Sequence, residues 1–178
     1  MIESAMRGSV ERLVSALGRQ AREQGCTVAT AESLTGGQLA AALAAAPEAR
    51  EWYRGGVVAY QAEVKYSLLG APHGPVVTAA TAESMARAVS KLFDSDFSVG
   101  VTGVGGPEPD EGEPPGTVYL AVYQRAASSE GGGVSERFEF DGAPVDVMQQ
   151  TICAALEALL TSVERRAGDN GGNGPAVA

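Results

Sequence analysis

Short apolar runs alternate with helical stretches through the N-terminal half of this chain, and each run breaks off in small or glycine-rich turn residues. Few architectures accept that pattern. Strands that alternate with helices pair in parallel, and the helices cover the faces of the sheet. Val10, Leu13, Val14 and Leu17 recur at helical spacing, which predicts an amphipathic helix over 7–24. Residues 26–31 read as a buried strand, and the Ala-rich stretch 35–46 as a helix stopped before Pro47. A second strand is expected over 55–60. A short helix over 63–69 follows, closed by Gly70 as its C-cap glycine. The Pro/Gly-containing segment 71–77 is loop; Thr81 then reads as the N-cap of a helix reaching about residue 93, with Glu83 in its first turn. A third strand over 97–101 runs into the glycine-rich 102–107 and an acidic, Pro-rich loop over 108–115. The alternation in 117–123 and 134–140 suits an antiparallel pair, and 145–163 reads as a last amphipathic helix. The expected fold is α/β: a three-layer α/β/α sandwich with a mixed sheet of about five strands. A single domain is expected over 1–166, followed by a Gly/Asn-rich, disordered tail over 167–178.

Composition narrows the partners. A chain of 178 residues has room for one real core. No apolar run approaches the ~20 residues of a membrane span, and the N-terminus lacks the apolar stretch of a signal peptide, so a cytosolic protein is expected. The net charge of −9 repels nucleic acid and anionic lipid, and neither is expected as a partner. An anionic ligand would need local help from a Lys, an Arg or a helix N-terminus. Cys26 and Cys153 stand apart in apolar segments and read as core thiols. With His73 as the single histidine, no metal site or cofactor is expected.

Chemistry concentrates at strand ends, where ligands bind in open α/β sheets. The stretch 30–37, TAESLTGG, carries a hydroxyl nucleophile candidate, Ser33, followed by Thr35, Gly36 and Gly37 at the expected first turn of a helix. Free N–H groups of such a turn attract anions. A serine needs a base, and Lys65 is the candidate. Partly desolvated near a strand end, it would lose its proton more readily and could accept that of Ser33. Tyr60 could relay the proton or hold the lysine. Thr102 and Gly103 form a second small-residue turn. The same residues admit plainer roles: Ser33 as an N-cap, Lys65 on the surface, Tyr60 as sheet packing and the glycines as tight-turn geometry. Glu32 could cap the site, orient Lys65 or equally pair with a surface Arg, and the acidic residues Asp110, Glu111 and Glu113 read as a solvated loop. No P-loop or dinucleotide fingerprint is present.

Four blocks carry a resemblance: AESLTGG (31–37), GGVVAYQAEVKYSLLG (55–70), GVTGVGGP (100–107) and PPGTVYLAV (114–122). With them the chain resembles, over roughly residues 10–160, the C-terminal domain of the CinA family of competence-damage-inducible proteins, also found alone as nicotinamide-nucleotide amidohydrolase. The resemblance implies a three-layer domain, a homodimer, and metal-free hydrolysis of the carboxamide of nicotinamide mononucleotide to nicotinate mononucleotide and ammonia. It implies Ser33 as nucleophile, Lys65 with Tyr60 as the activating pair, and the turns Thr35-Gly36-Gly37 and Thr102-Gly103 as holders of phosphate and substrate. The chain departs from the family pattern in its outer contacts. Leu34 replaces a common Cys, and Ala62 replaces an Asn. Acidic residues fill 108–113 where the family has a glycine-rich loop with a Lys, and Pro144 and Met148 stand where two Arg are usual. These losses of positive charge leave a second reading open, a non-catalytic nucleotide-binding or interaction module of the same fold.

Overall fold

The computed structural model describes residues 2–126 and 131–171. The elements run α1 (Ile2–Glu23), β1 (Val28–Glu32), α2 (Gln38–Ala44), α3 (Ala49–Trp52), β2 (Tyr53–Val58), α4 (Ala62–Leu69), α5 (Ala79–Phe93), β3 (Phe97–Gly103), β4 (Thr117–Gln124), β5 (Gly132–Glu139) and α6 (Pro144–Gly171). The five strands form one mixed sheet, as expected, and their order is β2-β1-β3-β4-β5. Strand β1 pairs in parallel with β2 and β3, and β4 runs antiparallel to both β3 and β5.

Two cores flank the sheet. On one face Val28, Phe97, Val99, Val101, Leu120 and Val122 meet Val14 and Leu17 of α1, Leu39 and Leu43 of α2, and Ile152, Leu156 and Leu159 of α6. Trp52 completes this layer. It lies against α1 at Gly18, where a Cβ would sit 3.0 Å from the indole. On the other face Ala29 and Ala31 of β1 meet Met85 and Val89 of α5 and Leu69 of α4. Small side chains hold α5 close here. A Cβ on Gly100 would lie 2.3 Å from the Ala82 carbonyl oxygen, and Ser98 Oγ donates to the Ala86 carbonyl at 2.7 Å. The third layer follows from this contrast between bulky and small residues on alternate positions of one strand.

Several boundaries differ from the sequence reading, each for a local reason. Helix α2 begins at Gln38 rather than at 35, because Gly36 and Gly37 take positive φ (60° and 95°), which no helix accepts. The extra turn α3 precedes β2 and delivers Trp52 to the core. Thr78, not Thr81, caps α5: its side chain accepts from the Thr81 N–H at 3.1 Å. Gly70 closes α4 at φ 63° as expected. Helix α6 continues through residue 167 to Gly171. The rest of the expected disordered tail, 172–178, lies outside the described residues. Among the described residues no helix is long and apolar enough to cross a membrane.

Candidate active site

From β1 the chain moves to β2 on one side, then crosses to β3 on the other, so the carboxyl ends of β1 and β3 frame a switch point of the sheet. A cleft of about 560 Å³ opens there, lined by Ser33 and Leu34 after β1, by Tyr60 and Lys65 after β2, and by Thr102–Gly106 at the end of β3. The acidic loop and the first turn of α6 supply its outer wall, through Glu108, Asp110 and Glu111 and through Pro144, Val145 and Met148.

Ser33 is only 7% exposed. Its N–H donates to the Val101 carbonyl at 3.1 Å, which ties the turn to β3, and its hydroxyl has no partner among the described residues. Lys65 is 2% exposed. It sits in the second turn of α4, and its ammonium donates to the main-chain carbonyl of Tyr60 at 3.0 Å. Burial pushes its pKa down, while the Glu111 and Asp110 carboxylates pull it partly back. The contact with Tyr60 therefore runs through the backbone. The phenol is on a residue 70% exposed and makes no hydrogen bond among the described residues.

The turn after Ser33 is arranged differently from the expected anion cradle. The fully buried Glu32 carboxylate accepts from the N–H groups of Gly37 (3.0 Å), Leu39 (3.1 Å) and Ala40 (2.8 Å), and so occupies the N-terminus of α2 itself. Neither a site cap nor a partner of Lys65, Glu32 is the anion bound at that helix end. The Gly36 N–H donates to the Ser33 carbonyl at 3.0 Å. Thr35, Gly36 and Gly37 do not line the cleft; the Thr35 hydroxyl is buried without a partner. The N–H groups of Leu34 and Thr35 have no acceptor among the described residues.

Thr102 and Gly103 do reach the cleft, in supporting positions. The Thr102 hydroxyl donates to the Val76 carbonyl at 2.9 Å, and a Cβ on Gly103 would strike the Thr117 carbonyl oxygen at 2.5 Å. Sequence reasoning missed the role of Glu111. It takes φ 50°, unusual for a residue with a side chain, and its carboxylate accepts from the N–H groups of Val76 (2.6 Å) and Val77 (2.8 Å). That clip fixes the acidic loop against the cleft wall. Reciprocal backbone hydrogen bonds between Asp110 and Glu113 tighten it (2.9 and 3.2 Å). A glutamate followed by glycine in a Pro-rich loop was the only signal available. No cluster among the described residues has the makings of a metal site.

The family description "CinA C-terminal domain" matches residues 10–163. A relative from Desulforamulus reducens, described as a competence-damage inducible protein, is 36% identical over 152 residues, covering 83% of this chain and 36% of the relative. The chain thus spans about a third of the length of the curated relatives it matches. Among solved structures, a CinA superfamily protein of Klebsiella pneumoniae superimposes with a TM-score of 0.81 at 30% identity, covering 88% of this chain and 98% of the other. One from Escherichia coli gives 0.79 at 32% identity, with 85% and 88% covered.

Proposed function

This chain belongs to the CinA C-terminal domain family, and we propose that it is a serine amidohydrolase acting on the carboxamide of a nicotinamide nucleotide, the substrate class that its resemblance to the nicotinamide-nucleotide amidohydrolases implies. One observation carries the reading. The unpartnered hydroxyl of Ser33, a residue only 7% exposed, opens on the same cleft as a buried Lys65 whose pKa is pushed down by desolvation. A lysine whose pKa is lowered gives up its proton more readily than a surface lysine and is the better placed of the two to act as a base.

In the proposed reaction neutral Lys65 accepts the Ser33 proton as the oxygen attacks the carboxamide carbon. The Leu34 N–H receives the oxyanion: Leu34 lines the cleft with its N–H unengaged, whereas Thr35 stands outside it and the Gly36 N–H is already taken. Lys65 then protonates the leaving nitrogen, the C–N bond breaks and ammonia departs. Water, deprotonated by Lys65, attacks the Ser33 ester; Lys65 returns that proton to the Ser33 oxygen as the C–O bond breaks and the carboxylate leaves. Tyr60 contributes through its carbonyl, which orients the Lys65 ammonium.

Ammonia release from nicotinamide mononucleotide, measured with wild type and Ser33→Ala, tests the proposal. Turnover that disappears in a folded Ser33→Ala protein is the expected result; equal turnover in the two would refute the mechanism. Ala62, Pro144 and Met148 at the outer cleft favour a second reading, a binding module without turnover. Ligand binding by wild type without any ammonia release would select it.

A further inference from the structure

Three carboxylates of the chain take backbone N–H groups of its own, and of these only Glu111, with Val76 and Val77, stands in the cleft wall. Glu32 fills the N-terminus of α2, and Glu111 takes the paired N–H groups of Val76 and Val77. Asp146, in the first turn of α6, accepts from the Ala143 N–H at 2.9 Å. The N–H groups of Gly105 and Gly106 are left without an acceptor among the described residues, but they share the wall with Glu108, Asp110 and Glu111. Among the described residues no arginine lines the cleft, and Lys65 is its only cation. Glu108 and Asp110 form no ion pair among the described residues, and Asp110 acts on the Lys65 ammonium only across a longer gap.

We infer that the cleft selects an unphosphorylated, cationic carboxamide, such as a pyridinium nucleoside, over its phosphorylated counterpart. The inference rests on the amidohydrolase reading for the identity of the reacting group. The charge argument stands on the cleft alone. A phosphate dianion entering here would face three carboxylates and would compete for the one ammonium that the reaction needs as a base. A pyridinium ring carries its positive charge next to the carboxamide that Ser33 attacks. Glu108 and Asp110 would attract that charge, and the two glycine N–H groups suit a neutral ribose hydroxyl. Because Glu108 and Asp110 are exposed, this selection is a screened field and weakens with salt.

The test is a calorimetric titration of the Ser33→Ala protein with nicotinamide riboside and with nicotinamide mononucleotide at low ionic strength. The riboside is expected to bind about tenfold more tightly or better. Adding salt should narrow the gap, as should the double variant Glu108→Gln, Asp110→Asn, whose fold is checked by its melting temperature. Equal or tighter binding of the mononucleotide overturns the inference, as does a ratio unmoved by the double variant, or binding of neither compound. Ammonia release by wild type separates this from the amidohydrolase reading. Selective riboside binding without ammonia refutes the amidase and leaves the selection standing. A higher kcat/KM for the mononucleotide refutes the selection and leaves the amidase standing.

Discussion

Lys65 is the residue that folding alone would not choose. It is buried, unlike almost every lysine, and among the described residues its ammonium has one hydrogen bond, to the Tyr60 carbonyl. Its pKa lies below the ordinary 10.5 because burial disfavours the charged form. Between that lowered value and 10.5 the unfolded chain binds more protons than the folded one, so raising the pH through this window adds stability. Replacing the charge should therefore stabilise the fold while ending catalysis. Lys65→Met is expected to gain about 1 kcal/mol near neutral pH, to flatten the alkaline rise in stability and to lose at least ~100-fold in turnover. Thermal melts across pH, alongside ammonia release, check all three. In the proposed mechanism the same residue sets the acid limb of the rate. Asp110 and Glu111 pull its pKa upward, so Asp110→Asn should lower it further and move the acid limb of kcat/KM to lower pH. A limb that stays put or moves to higher pH would show that Lys65 is not the group being titrated.

At the scale of elements, two positions decide how the layers close. Glu32 serves α2 from five residues upstream of Gly37, and Glu32→Gln leaves one carbonyl oxygen for three N–H donors. A cost of about 1–3 kcal/mol is expected, read as a lower midpoint in urea unfolding. Gly100 on β3 faces α5, and Gly100→Ala would press a methyl into the Ala82 carbonyl and the Ala86 nitrogen, both backbone. Because neither can step aside, that variant is expected to lose about 3 kcal/mol or to misfold. Much of this was legible in the residues. The five strands, the Gly70 stop and the switch-point loops follow from local pattern, since each is written within a few neighbouring positions. What sequence could not reveal came from partners far along the chain. Helix α2 starts late because a buried acid outside it sets its end. Thr78 outranks Thr81 as a cap by one turn of loop geometry. Glu111 reaches Val76 and Val77 across 35 and 34 residues. The candidate site was legible as a set of residues, Ser33, Lys65, Thr102 and Gly103 among them, while the way its N–H groups are already spoken for was not.

Seen whole, the molecule has its cleft at the carboxyl ends of β1 and β3 and a polar cluster at their opposite ends. There Asp96 accepts from the Thr27 N–H and hydroxyl, both at 2.8 Å, and faces Arg125 and Arg166 at 3.7 Å. It thereby joins the starts of β1 and β3 to the end of β4 and to α6. Burial pushes the Asp96 carboxyl up, but the Thr27 hydrogen bonds and the two arginines outweigh it and hold the pKa below the ordinary 3.8. A carboxylate so depressed stabilises the fold above that ordinary value, and the contribution drains away as pH falls through the lower folded one. Asp96→Asn should cost about 1 kcal/mol at neutral pH and converge on wild type in strong acid, as acid-unfolding curves of the two would display. The distance between these two poles has an evolutionary consequence. Loops at the cleft end can be rewritten, charges reversed and specificity traded, while the clasp at the far end goes on holding the layers together. A scaffold divided in this way lets its descendants try new ligands without first risking the loss of their shape.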